Sequence, residues 1–301
     1  MKRRLFVAAV LVAAAFLVGR QVNGLKSAAS DAPGREETRQ SYRLDPGARV
    51  EVRGVNGPVE IVTADVDAAD VRVTYEAERA ADLENRRVVI EHDAGSLVVR
   101  GEGRDGGKFW RWLRGGRGVR VRVSMTVPRR VEVAARGVNG PLSVGAVEGS
   151  VEVSGVNGRV EVAEVGGRAE VRGVNGNVRL GVPRPDVQGV EVRGVNGNVE
   201  LRLSPRADAD LVVRGHHGQL SLNLPNVTME EREGHSRLRA RLGAGGAPIE
   251  FKGVNGNVRF ESDARPAGEV SSLPPAPPAP PVVPTAPSAP TARPAPPAPL
   301  D

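Results

Sequence analysis

From Ser150 to Gly176 one pattern of apolar and polar positions runs three times without a gap: SVEVSGVNG, RVEVAEVGG, RAEVRGVNG. Apolar residues fall at fixed offsets: Val151, Val153 and Val156, then Val160, Val162 and Val165, then Ala169, Val171 and Val174. The first two in each unit alternate with polar residues, as in a half-buried strand. The third has the wrong parity for the same face of a straight strand. A bend between second and third turns it inward again. Glycines punctuate each unit, where a left-handed backbone is least unfavourable.

The word Gly-Val-Asn-Gly starts at Gly54, Gly137, Gly155, Gly173, Gly194 and Gly253, with a degenerate copy, Gly215-His216-His217-Gly218. From Gly137 to Gly215 the steps are 18, 18, 21 and 21 residues, and the last, to Gly253, is 38, close to two periods. Fixed spacing is the mark of a stacked repeat. The fold class is all-β, and two architectures compete. Asn-Gly and Gly-Gly are strong hairpin turns and favour an antiparallel β-meander or sandwich. The parity break favours a β-solenoid, a right-handed β-helix-like repeat domain in which two nine-residue sides make one coil. In that reading Asn56, Asn139, Asn157, Asn175, Asn196 and Asn255 form a turn ladder along one corner, with stacked amides hydrogen-bonding along the column.

The rest of the chain divides by composition. Residues 1–24 look like a signal peptide or N-terminal anchor: Lys2, Arg3 and Arg4 precede an apolar run from Leu5 to Val18, short for a span of about 20 residues. Residues 25–44 are a polar linker, 45–262 the β-repeat domain, and 263–301 a disordered Pro-rich tail. Residues 62–130 are the irregular part of the domain, with strands expected around Val71–Tyr75 and Val119–Val127 and a helical turn or loop at 78–87. The tail holds 14 of the 24 prolines, a composition that favours extended polyproline II over a strand ladder. It serves as a spacer, a ligand for a protein partner, or a tail without one.

The recurring Asn-Gly turns between short Val-rich strands, Val127-Pro128 ahead of Val131-Glu132-Val133, and the export signal resemble the bacterial putative adhesin family with a GIN-domain-like β-solenoid. The resemblance spans roughly Leu44 to Phe260. It implies a right-handed β-helix-like fold and an exported, envelope-associated protein, and it carries no catalytic residues. The long Pro-rich tail departs from the pattern.

Charge and chemistry narrow the function. The chain has no cysteine, which excludes disulfides and thiolate chemistry. Positive residues concentrate at Arg104, Lys108, Arg111, Arg114, Arg117, Arg120 and Arg122, opposed only by Asp105, and this surplus equals the formal net charge of the whole chain, +6. Phe109, Trp110 and Trp112 lie among them. Lys108, Phe109, Trp110, Arg111, Trp112, Arg114 and Arg117 therefore form a candidate contact for an anionic membrane surface or envelope polysaccharide. The alternative for the same segment is a loop that covers an open end of the core. Export argues against nucleic acid as the partner. His216 replaces an inward Val and His217 a corner Asn, a variant rung rather than a metal site. The Glu residues alternate with Arg, the pattern of a solvated face with cross-strand ion pairs. We expect no cofactor, no metal and no catalytic residues. The function read from the sequence is an exported, non-enzymatic structural or adhesin-like binding module of the cell envelope, periplasmic or extracellular. A membrane-anchored regulator docking a partner through its tail is the alternative, and a polysaccharide-active enzyme comes last.

Overall fold

A strand whose alternate residues are Val can bury only one face, so each must find a second sheet to cover it. In the computed structural model two sheets do this. Residues 34–77, 83, 86–103, 119–185, 188–233 and 237–263 are described. The chain divides into two units, Met1–Ala264 and Arg265–Asp301, and the second lies outside the described residues.

The described chain opens with β1 (Gly34–Arg43), β2 (Arg49–Arg53), β3 (Val59–Ala64) and β4 (Ala68–Ala77). A hairpin follows, β5 (Arg86–Asp93) and β6 (Ser96–Gly103), then β7 (Val119–Pro128). The regular block supplies β8 (Glu132–Arg136), β9 (Leu142–Val147), β10 (Val151–Asn157), β11 (Val160–Val165), β12 (Ala169–Asn175), β13 (Val178–Gly181), β14 (Val190–Asn196) and β15 (Val199–Leu203). The last part holds β16 (Ala209–Arg214), β17 (Leu220–Asn223), β18 (Val227–Glu233), β19 (Arg237–Leu242), β20 (Ala247–Asn255) and β21 (Val258–Ser262).

From β7 to β17 successive strands alternate between the sheets, so β10 and β11 make one coil and β12 and β13 the next. Val151 pairs with Ala169 and Val160 with Val178, both in parallel register. Parallel pairing at the repeat step is coil-on-coil stacking, and it rules out the antiparallel meander for this block. One sheet has ten strands in the order β1-β4-β7-β3-β9-β11-β13-β15-β21-β17. The other has eleven, β18-β19-β16-β20-β14-β12-β10-β8-β2-β6-β5.

Spatial order departs from chain order at the far end. The Gly253 coil, β20 and β21, stacks on β14 and β15, with Val190 opposite Ile249 and Val199 opposite Val258. The Gly215 coil stacks outside it, with Leu211 opposite Ile249 and Leu220 opposite Val258. The chain thus runs out to the end, turns through β18 and β19, and returns to insert a coil behind itself. Strand β19 lies antiparallel on β16, and β18, antiparallel on β19, ends that sheet.

The other end is capped in the same manner. Strand β5 lies antiparallel on β6, and β4 on β7. Strand β1 adds to β4, with Gly34 opposite Ala77 and Arg43 opposite Ala68. Residues 34–43 therefore belong to the folded domain and not to the polar linker assigned to 25–44. An edge strand draws its stability from backbone pairing and one half-buried face, here Thr38, Gln40 and Tyr42, so its composition stays polar.

The core is thin and mostly Val. In β10, Val151, Val153 and Val156 are all buried, while Gly155 between the last two has φ of +63°. That left-handed step is the bend that restores Val156 to the inside. Each fully buried Val contributes about 1.5–3 kcal/mol relative to exposure. In the inserted coil Phe251 and Phe260 meet across the core, edge to face, with ring centroids 5.1 Å apart.

Candidate functional site

The corner between the two sheets carries a column of amides. Asn139 Nδ2 donates to Asn56 Oδ1 at 2.9 Å, Asn157 to Asn139 at 3.0 Å, and Asn175 to Asn157 at 3.1 Å. Asn196 donates to Asn175 at 3.1 Å and Asn255 to Asn196 at 3.0 Å. Beyond it His217 pairs with Asn255 through the backbone alone, its N–H donating to the Val254 carbonyl at 2.9 Å and its carbonyl accepting from the Gly256 N–H at 2.8 Å. His216 is buried at the inward Val position. A second column, which sequence reasoning missed, runs beside the first. Asn177 Oδ1 accepts from the Asn198 backbone N–H at 3.1 Å, Asn198 from that of Asn257 at 3.0 Å, and Asn257 from that of Gln219 at 2.9 Å. Its signal is the fifth residue of Gly-Val-Asn-Gly-Asn at 177, 198 and 257.

Coil spacing at the corner requires the second glycine of the word. A Cβ on Gly158 would lie 2.3 Å from the Gly140 carbonyl oxygen, so any side chain would push the coils apart.

The outer face of the eleven-stranded sheet bears rows of opposite charge. Glu51 is buried, its side chain 4% exposed, and Arg53 grips it with two bonds of 2.5 and 2.7 Å. Those bonds hold the Glu51 carboxyl below the usual carboxylate range, against burial, which pushes it up; Arg136 and Arg49 add to the lowering. Glu152 is lowered too, chiefly by its bonds to Arg136 at 2.8 and 2.9 Å, with Arg49 at 2.9 Å assisting. Further along, Arg172 pairs with Glu170 at 2.7 Å and Lys252 with Glu250 at 2.6 Å. Arg193 pairs with Glu191. On the ten-stranded sheet Arg179 bridges Glu161 and Glu200 from the coils on either side. Burial opposes ionisation of Glu200, yet Arg179 and Arg202 hold its carboxyl below the usual range.

Lys108, Phe109, Trp110, Arg111, Trp112, Arg114 and Arg117 lie outside the described residues. Their point of attachment is described. Strand β6 is parallel to β2, with Arg100 opposite Arg53, and β7 is parallel to β3, with Val123 opposite Val59. These strands form the two sides of one more coil. Where the other coils turn through Gly-Val-Asn-Gly, residues 104–118 join β6 to β7. Gly34 stands opposite Ala77, and Ala77 opposite Val119, so the described chain begins two strands from where that segment ends.

No family model matches the sequence, and no curated protein does. Solved structures do. A putative cell adhesion protein from Clostridium sporogenes is similar at 8% identity and a TM-score of 0.43, over 76% of this chain and 100% of that one. A putative adhesin from Bacteroides fragilis is similar at 9% identity and a TM-score of 0.32, over 75% and 97%. One from Parabacteroides distasonis is similar at 12% identity and a TM-score of 0.31, also over 75% and 97%.

Proposed function

We propose that this protein is an exported, non-enzymatic binding module of the bacterial cell envelope, adhesin-like or structural, that meets an anionic membrane surface through residues 104–118. One observation carries the reading. The segment that concentrates Trp and Arg joins β6 to β7, where the other coils have the corner word, and it rejoins the domain two strands from the first described strand, β1. The first described strand and the strand on which the aromatic basic segment ends thus lie at one end of the same sheet. Trp rings suit the headgroup layer, and guanidinium groups suit its phosphates.

The test is vesicle flotation with the chain from residue 25, which retains every described strand. Wild type floats with phosphatidylglycerol vesicles and not with zwitterionic ones, and Trp110→Ala/Trp112→Ala lowers the bound fraction at least tenfold. Equal flotation of both proteins, or of neither, contradicts the reading.

A further inference from the structure

A row of cations runs nearly the length of the eleven-stranded sheet. Arg53 stands opposite Arg136, Arg172 opposite Arg193, Arg193 opposite Lys252, and Lys252 opposite Arg214. Arg100 extends the row at one end and Arg237 at the other. Ser154 alone interrupts it, between Arg136 and Arg172. At the usual strand spacing of about 4.8 Å the row is about 38 Å long.

Like charges directly opposite on neighbouring strands destabilise a sheet. A simple account is that each cation serves the Glu two residues before it, as Arg172 serves Glu170. That account fails at three rungs of the parallel strands. The residue two before Arg100 is Val98, before Arg136 it is Ala134, and before Arg214 it is Val212. Arg136 and Arg100 borrow carboxylates from other strands, Glu152 and Glu91. The positive row persists where the negative row lapses, so the row itself is the feature.

The surface beside it is shaped as well as charged. Along these coils the outward order after the cation is Gly, then Asn, as in Arg172, Gly173, Asn175 and Arg193, Gly194, Asn196; the Gly215 coil has His217 in the Asn place. Gly155, Gly173, Gly194, Gly253 and Gly215 are exposed, Gly54 and Gly137 half-buried, and they stack in line, the position of a Gly194 Cβ lying 3.8 Å from the Gly173 nitrogen. A strip without side chains therefore lies between a wall of cations and a wall of amides. Asn139, Asn157, Asn175, Asn196 and Asn255 each have two N–H donors and give one to the neighbour in the column, leaving one for a ligand.

We propose that this strip binds a linear acidic polysaccharide laid along the stack, its carboxylates on the cation row and its hydroxyls on the asparagine row. The residues that form it are other than residues 104–118. Charge recurring once per strand matches a polymer with one acid group per sugar ring. A nucleic acid is the poorer fit, because sequence-tolerant binding of single strands rests on aromatic stacking, and this floor is glycine.

The experiment is affinity electrophoresis of the full chain in gels containing polygalacturonate, dextran or poly(dT), at low and moderate salt. Wild type is retarded by polygalacturonate, less so as salt rises, and not by dextran. Arg172→Gln/Arg193→Gln/Arg214→Gln weakens retardation at least tenfold. The equal charge change on the other sheet, Arg179→Gln/Arg202→Gln/Arg259→Gln, leaves it within twofold, and so does the charge-preserving Arg172→Lys/Arg193→Lys/Arg214→Lys. Melting curves of each variant separate lost binding from lost fold, and if the Gln triple melts early, Arg214→Gln alone is expected to weaken binding two- to threefold. Equal weakening by both Gln triples, no retardation of wild type, or tighter binding of poly(dT) overturns the inference. Loss of retardation in Trp110→Ala/Trp112→Ala but not in the row variants also overturns it, and leaves the membrane contact standing.

Discussion

Asn157 Nδ2 donates to Asn139 Oδ1 at 3.0 Å, across a separation of 18 residues, and accepts in turn from Asn175 at 3.1 Å. A residue inside the column thus makes two amide bonds, and one at its end makes one. Net values near 0.5–1.5 kcal/mol per bond predict a loss of about 1–3 kcal/mol for Asn157→Ala. Asn255→Ala, which breaks a single side-chain bond of the column, loses about half as much. Urea denaturation of the two variants, compared at equal m, checks the ratio.

The two glycines of each corner word differ in kind. Gly155 is held at φ +63°, with the nearest neighbouring atom 3.6 Å from where its Cβ would be, so Gly155→Ala meets backbone strain alone, about 1–2 kcal/mol. A Cβ on Gly158 would meet the Gly140 carbonyl carbon and oxygen at 2.5 and 2.3 Å. Gly158→Ala must separate two coils and is expected to lose more stability than Gly155→Ala. Thermal melts of both proteins give the order directly.

Glu51 makes stability depend on pH. Its folded pKa lies below the unfolded value, near 4.3 for glutamate. The stabilisation is present above that unfolded value and is lost as pH falls through the folded one. Glu51→Gln is therefore less stable than wild type at neutral pH, by about 1.5–3 kcal/mol as for hydrogen bonds to a charged group. The difference shrinks as the medium is acidified. Denaturation midpoints from pH 7 downward test this, and a constant gap would count against it.

The sequence displays the features that repeat and hides those that do not. The inward third Val, the bend at the first glycine and the corner column follow from offsets that recur within one coil. His216 falls in the core because it shares the register of those Val residues. Strand β1 was illegible because GREETRQSYR shows no apolar alternation, and its pairing with β4 is set by the open edge that β4 leaves. The cation row needs strand order as well as period: Lys252 and Arg214 become neighbours only because the Gly253 coil inserts inside the Gly215 coil. No local periodicity encodes that return.

The stacking order of the coils is open to disulfide trapping, since the chain contains no cysteine of its own. Arg193 and Lys252 are register neighbours on adjacent parallel strands, while Arg214 lies one strand further out. Adjacent strands lie about 4.8 Å apart, within the 4.4–6.8 Å that a disulfide spans between Cα atoms, and two strands are about twice that. Oxidation is expected to cross-link Arg193→Cys/Lys252→Cys nearly completely and to leave Arg193→Cys/Arg214→Cys reduced, as read by intact mass. The reverse result would place the coils in chain order and contradict the fold described.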